Sequence, residues 1–299
     1  MTPITESRDV VRAALWMIGA ILSFSLMAVA GRSVSFALDT FEIMLYRSLV
    51  GILVVVIIAQ SRGTLRAVRF HHRGLHMARN LLHFAGQNLW FLAITLIPLA
   101  QVFALEFTAP LWALLLAPLI LGERLTPTRA ACAIVGFIGI MIVARPTPDT
   151  IGIGIIAAAV AAICFAGSVL CTRKLTRNES LTSILLWMTV LQAGFGIACA
   201  GYDGDIALPS MVTLPWLVLI GLGGLAAHSC LTTALSIAPA AVVMPVDFAR
   251  LPLIAVIGMV IYGEVVDIWV LIGAAVIFAA NYANILSETR ASRAARRAV

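Results

Sequence analysis

The chain has 299 residues, 62% of them hydrophobic and 11% charged, against roughly 25% charged residues in ordinary soluble domains, so the composition excludes a soluble protein. The net charge of +6 comes from basic residues scattered through short loops between apolar runs, a pattern that points to orientation in a membrane and not to nucleic acid as a partner. The apolar runs suit helices of about 20 residues and are too long for the ~10-residue alternating strands of an outer-membrane barrel, so the expected fold is an all-α integral membrane bundle.

At the N-terminus, Arg8 and Arg12, an apolar run and Ala28-Val-Ala30 imitate a cleavable leader. The run from Ala13 to Ala30 is longer than a leader's apolar core, which predicts a retained first helix. Runs between polar breaks then predict ten transmembrane helices, at about 11–30, 41–60, 75–96, 99–121, 127–144, 151–172, 181–201, 213–236, 240–262 and 267–287. Pro98 and Pro239 mark tight turns, and Gly122 and Gly263 the ends of the fourth and ninth helices. The five cysteines lie in or beside apolar runs without metal-ligand or redox spacing and read as small packing residues.

Loop charge sets the expected topology. Arg62, Arg66, Arg69 and Arg73 share one loop, Arg173, Lys174 and Arg177 another, and Arg290, Arg293, Arg296 and Arg297 the tail. The alternate loops hold Arg32, Arg145, Asp39, Asp149, Asp203, Asp205 and Asp267. The positive-inside rule therefore places both termini in the cytoplasm of a multi-pass protein of a bacterial inner membrane.

An offset of 141 residues superposes one part of the chain on another without a gap. Pro98 falls on Pro239, Val102 on Val243, Glu106 on Asp247, Phe107 on Phe248, and Gly122-Glu123 on Gly263-Glu264; Phe24 falls on Phe165 and Arg32 on Arg173. The expected organisation is one five-helix repeat over 1–146, a second over 147–287, and a basic tail over 288–299. Because five is odd, the second repeat must cross the membrane in the opposite sense, making a 5+5 inverted repeat. This construction belongs to secondary transporters working by alternating access.

The paired Pro98 to Glu123 and Pro239 to Glu264 units, Tyr46-Arg47 and the Gly-rich fifth and tenth helices resemble the EamA type of the drug/metabolite transporter superfamily, in particular its ten-helix amino-acid exporters. The resemblance spans about Ala13 to Leu286. It implies a central cavity lined mainly by helices 1, 3, 4, 6, 8 and 9, with helices 2, 5 and 10 more peripheral. It also implies export of an amino acid or related amine, without enzymatic turnover or a cofactor.

A charge near the bilayer centre costs at least ~2.5 to 3.5 kcal/mol, so Glu106, Asp247, Arg250 and Arg47 need partners or water. Glu106 and Asp247 each lie about 12 Å past their turn proline along the helix. Either carboxylate is a candidate proton site or amine anchor, although Asp247 and Arg250, spaced i, i+3, also suit a fixed ion pair. Arg47 is a candidate for a substrate carboxylate, with packing on a peripheral helix the plainer reading. Helix 3 carries Arg79, His83, Gln87 and Trp90 at spacings of four, four and three, a polar stripe suited to a water-filled cavity or to a buried inter-helix network. His228 falls on Gln87 at the repeat offset and reads as cavity lining, whereas Met188, standing where Arg47 does, breaks the symmetry.

Trp16 and Trp187 read as interfacial anchors, Asn281 and Asn284 as inter-helix glue, and Glu123 and Glu264 as helix-start acids. His72 and His76 have metal-ligand spacing without an acidic third ligand, so no metal is expected. Small residues at Gly136-x-x-Gly139 and around Gly273 suit close helix approach within one chain or in a homodimer. The partners expected are a small-molecule substrate, the lipid bilayer and a coupling proton. A rival reading is uptake of a larger aromatic metabolite or vitamin, with Trp90 and Trp16 facing the cavity. A membrane sensor and an intramembrane enzyme are the alternatives of another class, the latter without any Gly-x-Ser-x-Gly or His-Glu-x-x-His motif to support it.

Overall fold

The computed structural model describes residues 7–122, 126–145, 152–176, 178–202, 204–237, 243 and 246–297. Its helices are α1 (Ser7–Val34), α2 (Thr40–Ser61), α3 (Arg73–Leu96), α4 (Leu99–Glu106), α5 (Ala109–Leu121), α6 (Pro127–Ala144), α7 (Ile153–Leu175), α8 (Leu181–Ala200), α9 (Leu214–Ile237), α10 (Arg250–Tyr262) and α11 (Ile268–Arg297). Among the described residues there is no strand. Among the described residues, eight stretches are long and apolar enough to cross a membrane, one of them the α4–α5 pair taken together. The chain is an all-helical, multi-pass membrane protein. Its outer surface is apolar, with Leu22, Leu53, Ile57, Ile134, Val169, Ile197 and Val260 exposed, as a bilayer requires of lipid-facing positions.

Local chemistry explains where the helices begin and end. Asp39 and Glu42 form a capping box that starts α2: Glu42 N donates to Asp39 Oδ1 at 2.8 Å and Asp39 N to Glu42 Oε2 at 2.9 Å. Thr126 caps α6 with Pro127 at its first position, and Ser180 caps α8. Gly122 and Gly263 end α5 and α10 at φ of 70° and 67°, the left-handed conformation that a glycine adopts without a Cβ clash. Glu123, Asp149, Arg177, Asp203 and Pro239 lie outside the described residues.

Two expectations are corrected. The fourth span is not one helix: it breaks at Phe107 and Thr108, because Pro110 has no N–H to donate to the Glu106 carbonyl. Leu111 N turns instead to Thr108 O at 2.9 Å, and Asn281 Nδ2 caps the freed Phe107 O at 2.9 Å. The basic tail, moreover, continues α11 without a break to Arg297.

The helices pack in pairs: α1 on α9, α3 on α7, α2 on α8, α6 on α11 and α4 on α10. At the offset of 141, α1 corresponds to α7 and α3 to α9, so the first two pairings exchange with each other. The α2–α8 and α6–α11 pairs each join a helix to its own counterpart, whereas α10 is the counterpart of α5 and packs on α4. The most deeply buried large side chains, including Phe91, Phe103, Ile94, Leu99, Leu105, Leu217 and Ile254, gather around α4 and α10. The closest backbone approach is at α6 and α11: a Cβ on Gly139 would lie 2.9 Å from Gly273 O, and one on Gly273 2.7 Å from Gly139 O. A Cβ on Gly136 would meet Leu111. These glycines therefore serve contacts within the chain.

Candidate substrate cavity and buried charge cluster

The structure separates the candidate residues into two sites. The first is an internal cavity of about 400 Å³, lined by α2, α8 and α9 with Arg79 of α3 and Thr172 of α7, which is within the range of ~300 to 1,000 Å³ typical of ligand pockets. Arg47, Ser48 and Gly51 form one wall, and Met188, Thr189 and Gln192 another. These six are counterparts under the repeat offset, so α2 and α8 present matching positions to one space. His228 and Gly224 of α9 stand between them, and Arg62, Leu181, Thr232 and Thr233 extend the lining to the end carrying the Arg-rich loop.

This placement overturns the peripheral role expected for α2. Arg47 is 9% exposed and lines the cavity, although the resemblance had set helix 2 outside it. The α3 stripe also divides. Arg79 reaches the cavity and donates from Nε to Thr172 Oγ1 at 3.1 Å and from Nη1 to Asn80 Oδ1 at 2.9 Å. His83 and Gln87 are buried in the packing of α3, where His83 Nε2 and Gln87 Oε1 have no hydrogen-bond partner among the described residues. His83 nonetheless lies within electrostatic reach of Arg79, Arg47 and His228.

The second site lies where α3, α4 and α10 meet. Arg250, 4% exposed, places Nη1 3.3 Å from Glu106 Oε1 and Nη2 3.2 Å from Asp247 Oδ2. Trp90 Nε1 donates to the other Glu106 oxygen at 2.8 Å. The rings of Phe24, Phe103 and Phe107 surround the guanidinium carbon at 4.8, 5.1 and 4.9 Å, an arrangement that favours a cation. The expected Asp247–Arg250 ion pair forms, but across a turn at Phe248 and Ala249 and not along one helix face. Phe107 and Phe248, repeat counterparts, pack ring to ring at 4.7 Å. The two sites meet through Phe24, whose ring stands edge-on to His228 at 5.4 Å and also covers Arg250.

Neither tryptophan invoked for an aromatic cargo faces the cavity. Trp90 is 4% exposed beside Glu106, and Trp16 is exposed on the outer surface of α1. Trp187 donates to Arg69 O at 3.0 Å and stacks on Phe70, tying α8 to the Arg-rich loop. His72 and His76 face Glu179 at 3.6 and 3.7 Å, so the fold supplies an acid that spacing alone did not. Among the described residues, however, no group of three or more His, Cys, Asp or Glu is arranged to hold a metal ion. Burial alone raises the Glu179 carboxyl, and the amides of His72 and His71, donating at 3.4 and 3.1 Å, outweigh it and hold the group below its ordinary value.

At the far end of α3 the bundle is closed. Glu264 pairs with Arg32 and accepts from Leu99 N at 2.9 Å, so it caps the start of α4 and not its own following helix. Arg32 also donates to Ile94 O and, at 2.8 Å, to Ile97 O, and lies over the Tyr262 ring at 4.7 Å. Arg145 pairs with Asp267. Arg79 and Ile97 are separated by about 27 Å along α3 at 1.5 Å per residue, so this closure and the cavity occupy opposite ends.

A polytopic helical bundle with a polar cavity at one end and a closed seam at the other defines a membrane carrier. The chain belongs to the EamA-like transporter family of the drug/metabolite transporter superfamily: the family profile matches residues 11–145 and again 152–286. It is 32% identical to a Rhizobium johnstonii riboflavin transporter over 97% of this chain and 96% of that one. A Brucella anthropi riboflavin transporter is 34% identical over 78% of this chain and 84% of its own length. A Rickettsia bellii S-adenosylmethionine uptake transporter is 27% identical over 92% of this chain and 94% of its own. A solved structure with a TM-score of 0.61 and 20% identity covers 93% of this chain and 98% of its own, which supports the fold. These three relatives are riboflavin and S-adenosylmethionine transporters and not amino-acid exporters, so they fit the rival expectation of vitamin uptake better than the amino-acid export drawn from the resemblance.

Proposed function

We propose that the protein is a secondary carrier that takes up a heteroaromatic, vitamin-like metabolite of the riboflavin class across a bacterial inner membrane. The full-length similarity to riboflavin transporters at 32% identity carries this reading. The cavity is compatible with such a cargo without aromatic walls, because guanidinium groups stack on flat rings and donate to ring carbonyls, and a methionine sulfur packs well on aromatic faces. Arg47, Arg79 and Met188 supply these groups.

The mechanism is alternating access between two halves built as an inverted 5+5 repeat. Its support is the 141-residue offset between the two family matches together with the pairings of α1, α2, α3 and α6, which map onto one another when the halves are exchanged. The described conformation has the Arg32–Glu264 end closed and the cavity at the end of the Arg-rich loop, which the positive-inside rule assigns to the cytoplasm. Glu106 and Asp247 are the carboxylates through which a proton would couple, and a single chain is the transport unit because one chain completes the cavity.

Uptake is tested with labelled riboflavin in proteoliposomes, with and without an imposed pH gradient. Saturable entry is expected, accelerated by the gradient if a proton is coupled. Absence of riboflavin flux together with transport of an amino acid would return the protein to the exporter reading. A preference for S-adenosylmethionine would place it with the relatives of that specificity.

A further inference from the structure

Two arginines are buried in the bundle and are accommodated differently. Arg250 has two carboxylates and three aromatic faces around it. Arg47 has none of these: among the described residues its one hydrogen bond runs to Met44 Sδ at 3.7 Å. A guanidinium cannot shed its proton, and removing it from water costs several kcal/mol unless a partner is supplied. Yet among the described residues no acidic side chain lines the cavity that Arg47 faces.

The surroundings of Arg47 add to its charge. Arg79, 7% exposed, faces the same space with two neutral acceptors, Thr172 and Asn80. The His228 ring stands on the third side, and Arg62 lies in the lining toward the loop end. On the facing wall Met188 occupies the position equivalent to Arg47, so the cavity has one cationic and one neutral side. Gly224 packs beside the guanidinium, where a Cβ would come 3.5 Å from Arg47 Nη2. A positive cavity with low-dielectric walls concentrates anions, and a planar fork of donors matches the two oxygens of an oxyanion.

We propose that Arg47, with Arg79 beside it, seats an oxyanion of the transported metabolite, a carboxylate or a phosphate. This rests on the carrier reading and narrows it: the cargo is a heteroaromatic metabolite that bears a negative group, and a neutral one is the poorer ligand. Arg47 and Met188 then divide the work, the first binding the charged end and the second packing against the apolar one.

The test uses the purified full-length protein. Binding of riboflavin and riboflavin 5′-phosphate is followed by flavin fluorescence, S-adenosylmethionine is added as the carboxylate-bearing competitor, and inorganic phosphate is assayed by thermal stabilisation. Wild type is expected to bind riboflavin 5′-phosphate or S-adenosylmethionine at least tenfold more tightly than riboflavin. The phosphate arm identifies a phosphate seat and the other a carboxylate seat. Arg47→Gln should remove that preference and Arg79→Gln weaken it, while Arg47→Lys should keep part of it; monodisperse elution of each variant checks folding. Riboflavin binding equal to or tighter than both charged ligands, or a preference that survives Arg47→Gln, overturns the proposal. If none of the three organic ligands binds, the flavin-class reading fails, and the oxyanion seat is judged separately. Saturable stabilisation by inorganic phosphate that Arg47→Gln abolishes supports the seat, whereas no stabilisation, or stabilisation unchanged in Arg47→Gln, overturns it.

Discussion

Arg32 and Glu264 stand 232 positions apart in the chain and in direct contact in the fold, joining the end of α1 to the end of α10. Each also binds backbone at the junction of α3 and α4: Arg32 through the carbonyls of Ile94 and Ile97, Glu264 through the amide of Leu99. Removing one partner of a mostly buried pair leaves the other without its counter-charge. Arg32→Ala should lower stability by about 2 kcal/mol, and Glu264→Gln by less, because a glutamine oxygen still accepts from Leu99 N. Thermal unfolding in detergent measures both, and a larger loss in Glu264→Gln would show that the backbone contacts of Arg32 contribute little.

The Glu106–Arg250–Asp247 cluster predicts a non-additive mutant series. Arg250→Leu alone strands two carboxylates and should cost about 3 to 5 kcal/mol, seen as loss of monodisperse protein. Glu106→Gln should be milder, since Asp247 keeps its pair with Arg250. The triple variant Glu106→Gln, Asp247→Asn, Arg250→Leu should recover much of the loss. Stability of the triple variant no better than that of Arg250→Leu would sink this reading of the cluster as mutually neutralising.

Two glycine substitutions separate packing from propensity. Gly139→Ala places a methyl 2.9 Å from Gly273 O and should destabilise the bundle by about 1 to 3 kcal/mol. Gly194→Ala, in α8 with nothing within 4 Å, should be neutral or stabilise by up to about 1 kcal/mol through helix propensity. Midpoints measured side by side should move in opposite directions, or only the first should move.

Glu179 predicts a pH dependence. Its folded pKa lies below the ordinary 4.5, so the unfolded chain binds its proton first. The stability it contributes is complete above that ordinary value and is lost as pH falls through the folded pKa. The gap in melting temperature between wild type and Glu179→Gln should therefore be constant from pH 8 to about 6 and narrow below about 4.5. A gap that widens with acid would mean that Glu179 is protonated more readily in the fold than outside it.

Much of the architecture is legible in the sequence because it is written twice. The 141-residue offset marks the left-handed glycines Gly122 and Gly263, and the boundaries of α6 match the sequence reading to the residue. The break at Phe107 also had a sequence signal, Pro110, but a proline four residues after a carbonyl is easily read as a helix start elsewhere in an apolar run. Cavity lining was less legible. Helical spacing shows that Arg79, His83, Gln87 and Trp90 share a face, but that face touches α7 at one level, the Glu106 cluster at another and open space at a third. Which of these a polar residue meets depends on helix tilt, and tilt is set by contacts between residues far apart in the chain. The role of Arg47 was obscured for the same reason, because nothing local distinguishes an arginine beside a cavity from one buried in packing.

At Gly139 and Gly273 the main chains of α6 and α11 lie nearly atom to atom, with Ile277 and Val143 locked alongside. Backbone against backbone at this level leaves little room for the two helices to slip from one notch to the next. In the proposed alternating-access mechanism this joint would serve as a fixed axle between the halves, and the displacement that turns the cavity from one side of the bilayer to the other would fall on the remaining helices.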